Sequence, residues 1–112
     1  MDDAPIISDY GAGEVASAIS RRVRTGTISV DDARSSLDEF DVWTNALATV
    51  IDIDTRDVQR ASQIVRQFDL NLRFPDALHV AICDNRRLAL VTGDAQMAAA
   101  AGKLKIDVTL VA

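Results

Sequence analysis

The sequence has little of the residue types that most often carry enzyme chemistry. Among its 112 residues there is one cysteine, Cys83, and one histidine, His79. A single cysteine excludes an internal disulfide and a cysteine-built zinc cluster. A single histidine excludes His-rich metal sites and paired-histidine catalysis. Two prolines and five glycines are too few for a Pro/Gly-rich linker or a fibrous repeat. No apolar run approaches the roughly 20 residues that a membrane span requires. The opening residues, MDDAPIIS, have neither the basic start nor the apolar core of a secretory signal. The expectation is a cytoplasmic protein folded as one domain over residues 1–112. Basic residues are outnumbered, 12 against 17 acids, for a net charge of −5. That sign excludes a generic nucleic-acid coat, so a nucleic-acid substrate would need local arginines or a bound metal.

What the chain does have is regular alternation of strand and helix patterns. Ile6 and Ile7 read as a short strand, after which Ser8 or Asp9 caps a helix. From Tyr10 to Arg24 the apolar residues Val15, Ile19 and Val23 recur every four positions, and Gly26 ends the run. Ser29 with Asp31 and Asp32 starts a second helix that runs to about Trp43. The stretch Ala48–Ile53 is a β-rich strand. Thr55 is placed to cap a third helix, with Val58, Ala61, Ile64, Val65 and Phe68 as its buried stripe. Pro75 suits the first helical position of a fourth, extending to about Arg86. Leu88–Thr92 reads as a strand, residues 95–101 as a short helix, and Ile106–Val111 as the last strand. No hairpin signal joins any two strands, so the reading is α/β with a mostly parallel sheet and helices on both faces.

With histidine and cysteine scarce, carboxylates must carry any chemistry. In such folds ligands gather at the carboxyl ends of the strands, where helices begin. Three acids fall there: Glu14 in the first helix, Asp76 at the start of the Pro75 helix and Asp94 after the Leu88–Thr92 strand. Carboxylates gathered without lysines repel one another, and a hard divalent cation, Mg²⁺ or Mn²⁺, relieves that repulsion. Such an ion activates water for attack on a phosphodiester. Taken singly, each acid is better explained by the helix macrodipole, and Asp94 also by capping; only their shared location favours a joint site. Arg73, just ahead of Asp76, is placed to meet a substrate phosphate or an acidic partner. His79 and Cys83 read as packing residues on the same helix.

Three runs, IISDYGAGEVASAISRRVRTG, DLNLRFPDALHVAI and LALVTGDAQMAAAA, together resemble PIN-domain ribonucleases, in particular the VapC-like toxins of toxin–antitoxin pairs. The resemblance covers nearly the whole chain in the same order. It implies a three-layer sandwich and an endoribonuclease that cuts RNA with Mg²⁺ or Mn²⁺. It assigns Glu14, Asp76 and Asp94 as the catalytic, metal-holding acids and Thr92 as a supporting polar residue. It further implies a homodimer and a small antitoxin protein that covers the cleft. The Tyr10–Arg24 and Val30–Trp43 helices would offer the antitoxin an apolar groove.

The family pattern also has a central first strand bearing a further Asp ligand, and this sequence has no counterpart to it. The expectation is a gap between the Ile6–Ile7 strand and the Leu88–Thr92 strand. An upstream segment, a second chain or a rearranged sheet would each fill it. A chain lacking that ligand is expected to be a weakened nuclease, or else an inactive PIN-like module that binds an antitoxin or itself.

Overall fold

The computed structural model describes residues 4–111. Among these residues five α-helices and four three-residue strands follow in the order β1 (Ile6–Ser8), α1 (Asp9–Arg24), α2 (Val30–Leu47), β2 (Thr49–Ile51), α3 (Thr55–Val65), α4 (Phe74–Arg86), β3 (Leu90–Thr92), α5 (Ala95–Lys103) and β4 (Val108–Leu110). A 3₁₀ turn, Phe68–Leu70, connects α3 to α4. The chain divides after Asp52 into two compact units.

In the first unit β1 and β2 pair in parallel, with Ile6 opposite Thr49 and Ser8 opposite Ile51. Parallel neighbours need a crossover, and α1 with α2 provides it. Ser8 caps α1 by accepting the Gly11 N–H at 2.8 Å, and Ser29 caps α2 from Asp32 at 3.0 Å. Arg21, Arg22 and Arg24 crowd the last turn of α1, where the helix dipole favours cations. Gly26 takes the turn that follows with φ of 75°, a left-handed conformation that glycine adopts without steric cost. The α1 stripe of Val15, Ile19 and Val23 is only half-buried, and Ala33 is the unit's one buried apolar side chain among the described residues.

The second unit holds most of the core. Ala61 and Ile64 of α3 are buried beside Ala77, Leu78, Val80, Ala81 and Ile82 of α4. The two helices run antiparallel, since Asp57 near the start of α3 meets Asn85 and Arg86 at the end of α4. β3 and β4 pair in parallel, Leu90 opposite Val108 and Thr92 opposite Leu110, with α5 as the crossover. Helices α4 and α5 close alike: Arg87 and Lys105 turn left-handed (φ 54° and 61°), so Leu88 and Ile106 bond back to Cys83 and Ala101 at 2.9 Å.

The α/β reading and the parallel pairing hold, and several boundaries shift. Helix α2 runs on to Leu47, β1 extends to Ser8, and β2, β3 and β4 are shorter than the runs that announced them. Asp54, not Thr55, caps α3, and α4 begins at Phe74, so Pro75 is its second residue. Helix α3 stops at Val65, and Phe68, assigned to its buried stripe, is 86% exposed on the 3₁₀ turn. The strands form two separate pairs, β1–β2 and β3–β4, and no described strand joins them.

Candidate functional site

Strand β3 delivers the polar end of the second unit. Its last residue, Thr92, accepts the Asp94 N–H on Oγ1 at 3.1 Å, which fixes the turn through Gly93. Asp94 is then the N-cap of α5: its Oδ1 accepts the N–H groups of Gln96 at 2.9 Å and Met97 at 3.1 Å. These donors would otherwise be orphaned at the helix start, and they lock the carboxylate in one orientation. Its second oxygen takes no bond from any described residue, and the residue is exposed.

Asp76 is the third residue of α4, in a first turn that no side chain caps. The positive end of the helix dipole favours its charge there. It is half-buried and makes no hydrogen bond or ion pair among the described residues. Arg73 occupies the N-cap position of the same helix in an extended conformation, with its side chain exposed. A contact invisible in the sequence ties the two helix starts together. Gln96 of α5 donates its side-chain N–H to the carbonyl of Asn71, ahead of α4. Asn71 itself is left-handed with φ of 55°, a conformation asparagine tolerates better than most residues. The second unit thus holds Asp94, Thr92, Arg73 and Asp76 on two adjoining helix starts and a strand end.

Glu14 belongs to the first unit, as the sixth residue of α1, and is exposed. Among the described residues no group of three or more His, Cys, Asp or Glu side chains is assembled to hold a metal ion. The donor chemistry of the second unit nonetheless suits a hard cation. Asp76, Asp94 and Thr92 offer oxygen only, and Mg²⁺ is ordinarily held by one or two carboxylates with the rest of its shell from water and phosphate.

His79 lies one turn after Asp76, half-buried and engaged in an interaction of its own. Burial pushes the Cys83 thiol above its ordinary value, so it is not poised as a nucleophile near neutral pH. The dominant electrostatic feature went unread in the sequence. Asp57 is completely buried and receives Arg86 through two bonds of 2.7 and 2.9 Å. Asn85 adds a third at 3.0 Å, and the Asp54 N–H a fourth at 2.9 Å. The Arg86 guanidinium, with these other donors, holds the Asp57 carboxyl at about 2. Every lone pair is answered, which marks a structural clamp between α3 and α4, not a catalytic group.

Residues 1–103 match the PIN domain family. The chain is also 34% identical, over 111 residues, to the protein named Ribonuclease VapC1 in two strains of Mycobacterium tuberculosis. That alignment covers 99% of this chain and 75% of the relative. The ordered acids, the strand-end turn and this similarity over nearly the full length lead to one conclusion: the chain belongs to the PIN-domain family, and within it is similar to VapC-type ribonucleases.

Proposed function

We propose that this protein is a divalent-metal-dependent endoribonuclease, acting in the cytoplasm as the toxin of a toxin–antitoxin pair. The observation that carries the reading is Asp94. Its carboxylate is locked by the start of α5, leaving one oxygen unengaged, in a chain that aligns with a ribonuclease over 99% of its length. Asp76 and Asp94 of the second unit are the residues that would hold Mg²⁺ or Mn²⁺, and the family resemblance assigns Glu14 of the first unit as a further acid. When bound, the ion supplies charge neutralisation at the phosphoryl group and activation of water.

The remaining work falls to the chain's own side chains. Thr92 fixes the Asp94 turn by accepting its N–H, so the carboxylate needs no reorganisation when substrate arrives. Arg73 offers a guanidinium that suits a phosphate bidentately, offsetting locally the chain's negative charge. For the antitoxin, α2 presents an apolar surface formed by Val42, Trp43, Ala46 and Leu47 beside Asp38 and Glu39. Such a strip suits a partner helix with apolar and basic faces. A homodimer is part of the same reading.

A second reading has one observation in its favour: Asp94 already has a complete structural role as a helix cap. On that reading the chain is a binding module that associates with an antitoxin or with itself and does not cleave. Calorimetric titration with Mn²⁺ separates the two. The nuclease reading expects saturable binding that Asp76→Asn weakens at least tenfold. No heat of binding at millimolar Mn²⁺ would favour the module.

A further inference from the structure

Phenylalanine is among the residues most often withdrawn from water, yet Phe68 is 86% exposed and Phe74 41% exposed on one short connection. The display is held in place from beneath. Gln67 bonds back to Ile64 and Leu70 to Gln67, each at 3.0 Å, while Leu70 is buried as the anchor of the turn. Asn71 closes the turn on Phe68 at 3.2 Å, and its own carbonyl is held by Gln96. The segment is therefore tethered to the helix start that Asp94 caps, and it runs directly into Asp76.

The charges around the rings decide what they suit. Arg56, Arg60 and Arg86 are each engaged with a carboxylate. Arg66 and Arg73, which bracket the segment, form no ion pair among the described residues. Two available arginines stand against one acid, Asp69, in a chain whose net charge is −5. The apolar strip on α2 has the opposite character, with aliphatic side chains beside Asp38 and Glu39. Exposed flat rings on a segment that begins and ends with an arginine offer what unstacked bases and their phosphates require.

We propose that Phe68 and Phe74 are stacking platforms for single-stranded RNA, with Arg66 and Arg73 as its phosphate contacts, on a track leading to Asp76 and Asp94. The proposal rests on the ribonuclease reading above and names the substrate form it takes. Every nucleobase has a face that stacks, so the track reads strandedness before sequence. A duplex, with its bases already stacked, is refused.

The test is fluorescence anisotropy with a labelled oligouridylate of about 12 nucleotides, near the upper end of the strand length one small domain covers. It is run in EDTA so that no cleavage intervenes, with a duplex of equal length as competitor. Phe68→Ala and Phe74→Ala should each weaken single-strand binding by about five- to hundredfold. Phe68→Trp and Phe74→Trp should restore it, and the duplex should compete poorly. Replacing Arg66 and Arg73 with Gln should weaken binding and flatten its salt dependence. Thermal melting of Phe68→Ala should match the parent, since that ring makes little contact.

If the parent fails to bind the oligouridylate, or both alanine variants bind it as the parent does, the proposal is overturned. It is equally overturned if those variants shift only the sedimentation of the protein, which would make the rings a self-association surface. Cleavage with Mn²⁺ is read separately. Ring-dependent binding without cleavage would support the track and sink the nuclease reading, and cleavage indifferent to the rings would do the reverse.

Discussion

Arg86 reaches both carboxylate oxygens of Asp57 across 29 positions of sequence, at 2.7 and 2.9 Å, and the carboxylate it meets has no solvent exposure. This pair joins the first turn of α3 to the last turn of α4 and holds the helical hairpin whose other end presents Phe68, Arg73 and Asp76. Removing one partner leaves a buried charge without an answer. Arg86→Ala should therefore cost about 3–5 kcal/mol in urea unfolding, whereas Arg56→Ala, at a solvent-exposed pair, should cost less than about 1 kcal/mol.

The same pair sets an acid limb. Asp57 is held at about 2 against an ordinary 3.8, so between those values the unfolded chain binds more protons than the folded one. Its contribution is fully present above about pH 4 and is lost as pH falls toward 2, amounting to about 2 kcal/mol. Asp57→Asn should lower stability at neutral pH and flatten the pH dependence in that window. Urea midpoints measured at pH 2.5, 3.5, 5 and 7 would show it; parallel curves for the two proteins would contradict it.

Asp94 carries two assignments that one pair of substitutions separates. Asn caps helices about as well as Asp, so Asp94→Asn should leave stability within about 0.5 kcal/mol of the parent. Asp94→Ala should cost about 1 kcal/mol through the lost bonds to Gln96 and Met97. Both should lose RNA cleavage by about a hundredfold or more, since neither offers a charged oxygen to a cation. If Asp94→Asn cleaves normally, the residue is a cap and nothing else.

The tether from Gln96 to Asn71 gives a further check. Gln96→Ala removes one hydrogen bond to a main-chain carbonyl and should cost about 1 kcal/mol. Its local signature should be faster amide exchange at Leu70 and Asn71, with the α3–α4 core amides changed only by the global loss.

The helices and their order were legible because each shows apolar residues at helical spacing, and Ser8 and Ser29 announced two starts. Parallel pairing followed from the absence of hairpin signals. Phe68 was misread for a physical reason. Its spacing from Ile64 and Val65 continues the α3 stripe, but the helix stops at Val65 and the chain passes into a 3₁₀ turn. The left-handed Asn71 was the available clue, since asparagine is a common carrier of positive φ. Of the Asp57 clamp only the local half, its bond from the Asp54 N–H three positions back, lies within reach of a sequence pattern; Asn85 and Arg86 lie 28 and 29 positions away. Of the candidate site, the positions of Asp76 and Asp94 at helix starts were readable from Pro75 and the VTGD turn. The Gln96–Asn71 bond that adjoins those starts was not, since it spans 25 positions.

The central claim is that Asp76 takes part in metal-dependent RNA cleavage, and the rate of that cleavage tests it most directly. Purified protein should cut a labelled RNA containing single-stranded loops in the presence of Mn²⁺ or Mg²⁺ and not in EDTA. Asp76→Asn, folded to the same melting temperature, should be slower by about a hundredfold or more. Equal rates for parent and variant, or a parent that cuts nothing at millimolar metal, would contradict the account.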